Sequence, residues 1–98
     1  MALEIKWSKT SRDDLYKITT YLEEFLSDIE FVNYVDNVFD CLNIIASFPQ
    51  IGIIANKRKK LRSFLISKHL RVYYVVSKSD IELVSFIDTR TNPKKYPK

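Results

Sequence analysis

Residues 60–96, KLRSFLISKHLRVYYVVSKSDIELVSFIDTRTNPKKY, decide how this chain folds. In the middle of the stretch Leu70, Val72, Tyr74 and Val76 alternate with His69, Arg71, Tyr73 and Val75. Strand side chains point to opposite faces in turn, so the first set predicts a core face and the second presents Arg71 on the other. The polar break Lys78-Ser79-Asp80 then leads into IELVSFID, which suits an antiparallel hairpin and delivers Arg90 just past its end. With the run around Leu61-Arg62 before them, these segments predict three strands and a basic tail.

Upstream, Leu3, Ile5 and Trp7 alternate with Glu4 and Lys6 as a half-buried strand does. Ser8 or Thr10 is placed to cap a helix running from Arg12 to about Leu26, with Leu15, Ile18, Leu22, Phe25 and Leu26 as its apolar stripe. Ser27-Asp28-Ile29-Glu30 has the form of a capping box and predicts a second helix. That helix carries two adjacent stripes, Val32, Val35, Phe39, Leu42 and Ala46 beside Phe31, Tyr34, Val38, Cys41 and Ile45, and ends at Phe48-Pro49. Gly52, the only glycine, is expected to serve a positive φ in the turn that follows, and residues 53–60 are expected to form a long loop.

The order strand, helix, helix, strand, strand, strand predicts an α+β fold: a small antiparallel sheet with both helices packed on one face and the other face left for a partner. Ninety-eight residues suit one domain, residues 1–98, with a core that needs no covalent staple. The single Cys41 allows no internal disulfide and is expected to be a buried thiol. One cysteine and one histidine supply no zinc shell, so neither a metal nor another cofactor is expected. The N-terminus has no apolar signal core and no apolar run is long enough to span a membrane, which predicts an intracellular, cytoplasmic protein.

Charge is unevenly spread. Residues 1–54 hold four basic and nine acidic side chains, whereas residues 55–98 hold twelve basic and three acidic. Clustered Lys and Arg neutralise phosphates and release counterions, so the second half points to a phosphate-rich partner, the alternative being a solvated basic face.

Trp7-Ser8, Phe48-Pro49 with Gly52, Leu61-Arg62, His69-Leu70-Arg71-Val72-Tyr73-Tyr74 and Phe86-Ile87-Asp88-Thr89-Arg90 with Asn92-Pro93 together resemble the RelE/ParE superfamily of bacterial toxins from type II toxin-antitoxin modules. The resemblance covers nearly the whole chain. It implies a cognate antitoxin, lying across the basic sheet face, in a toxin-antitoxin hetero-oligomer. RelE-type members cleave mRNA in the ribosomal A site without a metal; ParE-type members inhibit DNA gyrase without chemistry. The RelE pattern sets one arginine in the middle strand, a second after the last strand and a tyrosine six residues beyond, places that Arg71, Arg90 and Tyr96 occupy here. Where RelE has two lysines two apart on the preceding strand this chain has Arg62 and Phe64, with Lys60 or Lys68 as substitutes.

The leading expectation is therefore a ribosome-dependent mRNA endonuclease. Arg71 and Arg90 would hold phosphorane charge, because guanidinium is planar, bidentate and always protonated. Tyr96 would be the base or a stacking surface and His69 an acid, with Arg62, Lys60, Lys68, Tyr73, Lys94 and Lys95 along the RNA. The rivals are a ParE-like gyrase inhibitor and a decayed, non-toxic module that only binds antitoxin. Each residue also has a structural reading: Arg71 paired with Glu82 or Asp88, Arg90 paired with Asp88, His69 in a turn, and Tyr73, Tyr74 and Trp7 as core or rim aromatics.

Overall fold

The computed structural model of the chain describes residues 2–90. Seven elements follow one another: β1 (Glu4–Trp7), α1 (Lys9–Glu23), α2 (Asp28–Ser47), β2 (Ile53–Asn56), β3 (Leu61–Leu65), β4 (Leu70–Val76) and β5 (Asp80–Asp88). They build two layers, with the helices on one face of a five-stranded sheet of order β1-β5-β4-β3-β2. The three neighbouring pairs from β2 to β5 are antiparallel, while β1 lies parallel to β5, Glu4 opposite Asp80 and Trp7 opposite Leu83. A parallel pair needs a long crossover, and α1 and α2 lie within it.

Ile18 and Leu22 of α1 and Val38, Leu42 and Ile45 of α2 meet Leu70, Val72, Tyr74, Ile81, Leu83 and Phe86 of the sheet in one core. Full burial of an aliphatic side chain of this kind contributes about 1.5–3 kcal/mol. The part of the broad apolar face of α2 that carries Val38, Leu42 and Ile45 thus finds its partners, whereas Val32 and Phe39 remain about half exposed.

Local chemistry sets the helix ends. Ser8 caps α1 by accepting the Ser11 N–H at 3.0 Å, so the helix begins at Lys9, three residues before Arg12, and Thr10 lies inside it. It ends at Glu23, which leaves Phe25 exposed against the Tyr21 ring and outside the helix it was expected to join. The capping box at α2 is complete, the Ser27 amide donating to Glu30 Oε1 at 2.9 Å and the Glu30 amide to Ser27 Oγ at 3.2 Å.

Two expectations are corrected. The expected loop at 53–60 begins as a strand, β2, and only then turns back through Lys57-Arg58-Lys59-Lys60, with Lys60 at φ 57°. Every residue of β2 is exposed, so Ile53 and Ile54 show no alternation that would have betrayed it. Gly52, in turn, has no positive φ. It is needed for space: a Cβ there would collide with the Tyr74 hydroxyl and lie 2.8 Å from the Ser63 carbonyl oxygen.

A bulge in β5 matters most for the site. Tyr73 lies opposite Ser85 but Tyr74 lies opposite Leu83, so Val84 is extra. Ile81 and Leu83 before the bulge, and Phe86 and Asp88 after it, consequently share the core face although their parity differs. Residues of α1 take up backbone groups around the bulge: Ser8 Oγ donates to the Val84 carbonyl at 3.1 Å, and the Phe86 N–H donates to Asp14 Oδ2 at 3.2 Å.

Candidate functional site

Arg71 lies on the open face of the sheet, away from the helices. Its neighbours in β4, Leu70 and Val72, are fully buried on the helix side, and its cross-strand partners are Leu65 and Ile87. Neither Glu82 nor Asp88 pairs with it, because these lie opposite Val75 and Leu70. Instead its Nη1 donates to Ser63 Oγ at 2.9 Å, and Ser63 is opposite Tyr73. Arg71, Ser63 and Tyr73 thereby form a half-buried patch in which a guanidinium is steadied by a neutral hydroxyl.

Arg90 is on the other side. Asp88 is buried on the helix face, 1% exposed, and Arg90 donates to its carboxylate through Nε at 3.2 Å, Nη2 at 3.0 Å and the backbone N–H at 2.8 Å. Tyr34 of α2 donates its hydroxyl to Asp88 Oδ2 at 3.1 Å, and the guanidinium carbon of Arg90 lies 5.6 Å from the centre of the Tyr34 ring. Burial, followed by the Asp88 charge, pushes the Tyr34 phenol far above its ordinary range, so it stays a donor. The strand-end salt bridge is the geometry observed for Arg90.

The remaining candidates separate in the same way. His69, directly before β4, contacts Thr89 Oγ1 through Nδ1 at 3.0 Å, and with Lys68 and Arg90 it lines a cleft of about 420 Å³ against Glu30, Tyr34 and Asn37 of α2. Arg62 is opposite Tyr74 and so lies on the helix face. It donates to the carbonyls of Gln50 at 3.2 Å and Gly52 at 2.7 Å, tying down the turn before β2. Lys60 lies at the hairpin end near it. Tyr96, Lys94 and Lys95 lie outside the described residues. The structure therefore distributes the described candidates over three places: Arg71 bonded to Ser63 beside Tyr73 on the open face, Arg90 with Lys68 and His69 along the cleft against α2, and Arg62 with Lys60 beside Ile54.

Two residues that organise this arrangement escaped the sequence. Ser63 carried no signal, and Tyr34, 54 positions from Asp88, read only as a core stripe. Cys41 is a buried thiol that contacts Asn37 Oδ1 at 3.8 Å, with its pKa raised by burial and then by Asp40. Among the described residues, no three His, Cys, Asp or Glu side chains gather as a metal shell would need.

Residues 5–93 match the family model described as the ParE toxin of the type II toxin-antitoxin system parDE. The chain belongs to this toxin family. It is the toxin component of a type II toxin-antitoxin system, and that role implies an antitoxin as its partner.

Solved structures repeat the architecture. A chain of the chromosomal ParDE system of P. aeruginosa is similar at TM-score 0.72 and 11% identity, over 89% of this chain and 96% of that one. A YoeB/ParE toxin from Agrobacterium tumefaciens is similar at TM-score 0.60 and 18% identity, over 88% and 98%. The YoeB dimer from Staphylococcus aureus gives TM-score 0.53 and 18% identity, over 89% and 97%. At such identities the likeness is one of fold. Among curated proteins the comparison finds no match. No helix of the described residues is long and apolar enough to cross a membrane.

Proposed function

We propose that this toxin arrests growth by binding a protein target, DNA gyrase, rather than by cutting mRNA. The observation that carries the reading is the side of the sheet on which Arg90 lies. It is held by the buried Asp88 and lies over the Tyr34 ring on the helix face, whereas Arg71 is bonded to Ser63 on the open face. Metal-free RNA cleavage needs cationic donors aimed together at the phosphorane, and a guanidinium already engaged by a carboxylate is partly neutralised for that purpose. Arg62, expected along the RNA, is likewise committed to backbone carbonyls on the helix side. In this reading Arg71 and Tyr73 are contact residues of the open face, and the ion pair of Arg90 with Asp88 is structural.

Induced expression in a bacterial host tests the proposal, with primer extension on an abundant mRNA, a reporter of the DNA-damage response, and a supercoiling assay with purified gyrase. Growth arrest with intact mRNA, an induced damage response and inhibited supercoiling is expected. Cuts inside translated codons that disappear in Arg71→Ala would overturn it and establish a nuclease that depends on Arg71. An absence of arrest would point to a module that only binds antitoxin.

A further inference from the structure

Register brings two hairpin turns of the sheet to one end. Leu61, where the chain leaves the first turn, is opposite Val75, and Val76, where it enters the second, is opposite Ile81. Residues 57–60 and 77–79 therefore turn at the same end of the sheet, and Lys57, Lys60 and Val76 line one cleft there. The first turn carries Lys57, Arg58, Lys59 and Lys60, the second carries Lys78, and all five residues are exposed. Among the described residues none of the five is in an ion pair. The acids of this end are Glu4, Asp80 and Glu82, and Asp80 accepts the Ser77 hydroxyl at 2.7 Å within its own turn. The first turn has a defined shape: Asn56 Oδ1 accepts the Lys59 N–H at 3.0 Å, and the Lys60 N–H donates to the Lys57 carbonyl at 3.2 Å.

We infer that the two turns together bind the phosphates of duplex DNA. Resting on the reading above, in which gyrase is the target, they hold the DNA that gyrase handles while Arg71 and Tyr73 face the protein. The turn centres lie two strand spacings apart, about 10 Å. A duplex borders its grooves, about 6 and 12 Å wide, with the phosphates of its two strands, so long cationic side chains on two such tips reach both walls of one groove.

The composition of the turns selects among polyanions. Residues 56–60 and 77–80 contain no apolar side chain, so the tips carry no anchor for a membrane surface. They contain no aromatic ring either, and single strands are held largely by stacking on such rings. Contacts to the phosphates of a duplex need neither, and they bind without reading base sequence.

The test follows the fluorescence anisotropy of a short labelled DNA duplex titrated with the full chain over a range of salt. The same sequence as single-stranded DNA, single-stranded RNA and duplex RNA is measured beside it. The DNA duplex is expected to bind at least about tenfold more tightly than either single strand, with log affinity falling against log salt at a slope of about −4. The double variant K57Q/K59Q should reduce that slope by about 2 and K78Q by about 1. NMR of the unaltered chain with the duplex should shift amides at both 56–60 and 77–80, which keeps the test open if a variant fails to fold. The inference is overturned by an absence of binding at low salt, by tighter binding of a single strand or of either RNA, by slopes that the variants leave unchanged, or by shifts that miss one of the turns.

A supercoiling assay separates this contact from the reading on which it rests. K57Q/K59Q should need at least about tenfold more toxin to inhibit gyrase. Inhibition unchanged in that variant overturns the DNA contact and leaves gyrase as the target. A duplex bound by both turns, with no inhibition by the unaltered toxin, overturns gyrase and leaves the DNA site standing.

Discussion

Arg90 and Asp88, two residues apart at the end of β5, form a two-pronged ion pair at 3.2 and 3.0 Å in which the carboxylate is fully buried and the guanidinium side chain is 33% exposed. The asymmetry of burial sets what each member contributes. Removing the cation strips the buried carboxylate of both guanidinium bonds, while the Tyr34 hydroxyl and the backbone N–H of residue 90 stay as donors. Arg90→Ala should therefore destabilise the fold by about 2 kcal/mol, below the usual cost of breaking a fully buried pair because Arg90 is partly solvated. Urea unfolding is expected to show a midpoint lower by about 1 M at unchanged slope, with Arg90→Lys in between. An unshifted midpoint would show the pair to be energetically idle.

Arg71 should behave in the opposite way. Its one hydrogen bond described here goes to a neutral hydroxyl, Ser63 Oγ, and it lies on the uncovered face. Arg71→Ala is expected to cost below about 1 kcal/mol. Any loss of toxicity in that variant then reports on target contact, and a chemical melt beside a growth assay separates the two effects. A midpoint shift as large as that of Arg90→Ala would assign Arg71 a structural role.

The Gly52 site is a tight one. Its N–H donates to the Tyr74 hydroxyl at 2.9 Å, and that hydroxyl donates to the Pro49 carbonyl at 2.8 Å, beneath a surface where a Cβ has no room. Gly52→Ala should cost about 1–3 kcal/mol through overpacking, and Tyr74→Phe about 1–3 kcal/mol through the stranded Gly52 amide and Pro49 carbonyl. In the double variant the costs should be less than additive, since Tyr74→Phe removes the worst contact, yet not cancel, because the Ser63 carbonyl still lies 2.8 Å from the new Cβ. Full additivity in a double-mutant cycle would contradict the shared contact.

Stability should fall in alkali. Burial raises the pKa of Tyr34, Tyr74 and Cys41 above ordinary values near 10 for the phenols and 9 for the thiol. A folded state that holds its protons more tightly than the unfolded chain is fully stabilised below the unfolded pKa and loses that stability as pH rises beyond it. Unfolding free energy is therefore expected to decline from about pH 9 upward, first through Cys41 and then through the tyrosines. Tyr34→Phe should flatten the upper part of the decline, which denaturant titrations across this range would reveal; an identical slope in the variant would remove Tyr34 from the account.

Much of the architecture was legible in residues 3–48 and 60–90 because burial there is periodic. Alternation marked β1, β4 and their core faces, three-and-four spacing marked both helices, and Ser27 with Glu30 announced α2 through a contact only three residues long. β2 was illegible for the complementary reason: a strand exposed on both faces has no pattern to read. Gly52 was recognised as special, but its reason, the hydroxyl of Tyr74 pressed against it, lies 22 residues away.

The arginines divide on the same principle. Local sequence suffices to place Arg71, whose face follows from the parity of Leu70 and Val72 beside it. Arg90 is different, since its side depends on the extra residue Val84 in β5, accommodated through Ser8 and Asp14 of α1, which turns Asp88 inward, and on Tyr34 of α2, which receives the resulting pair. Periodicity reports what a residue's neighbours in the chain do; whether two cations share a phosphate is a matter of register and burial across the whole sheet, and those arise only when distant segments pack.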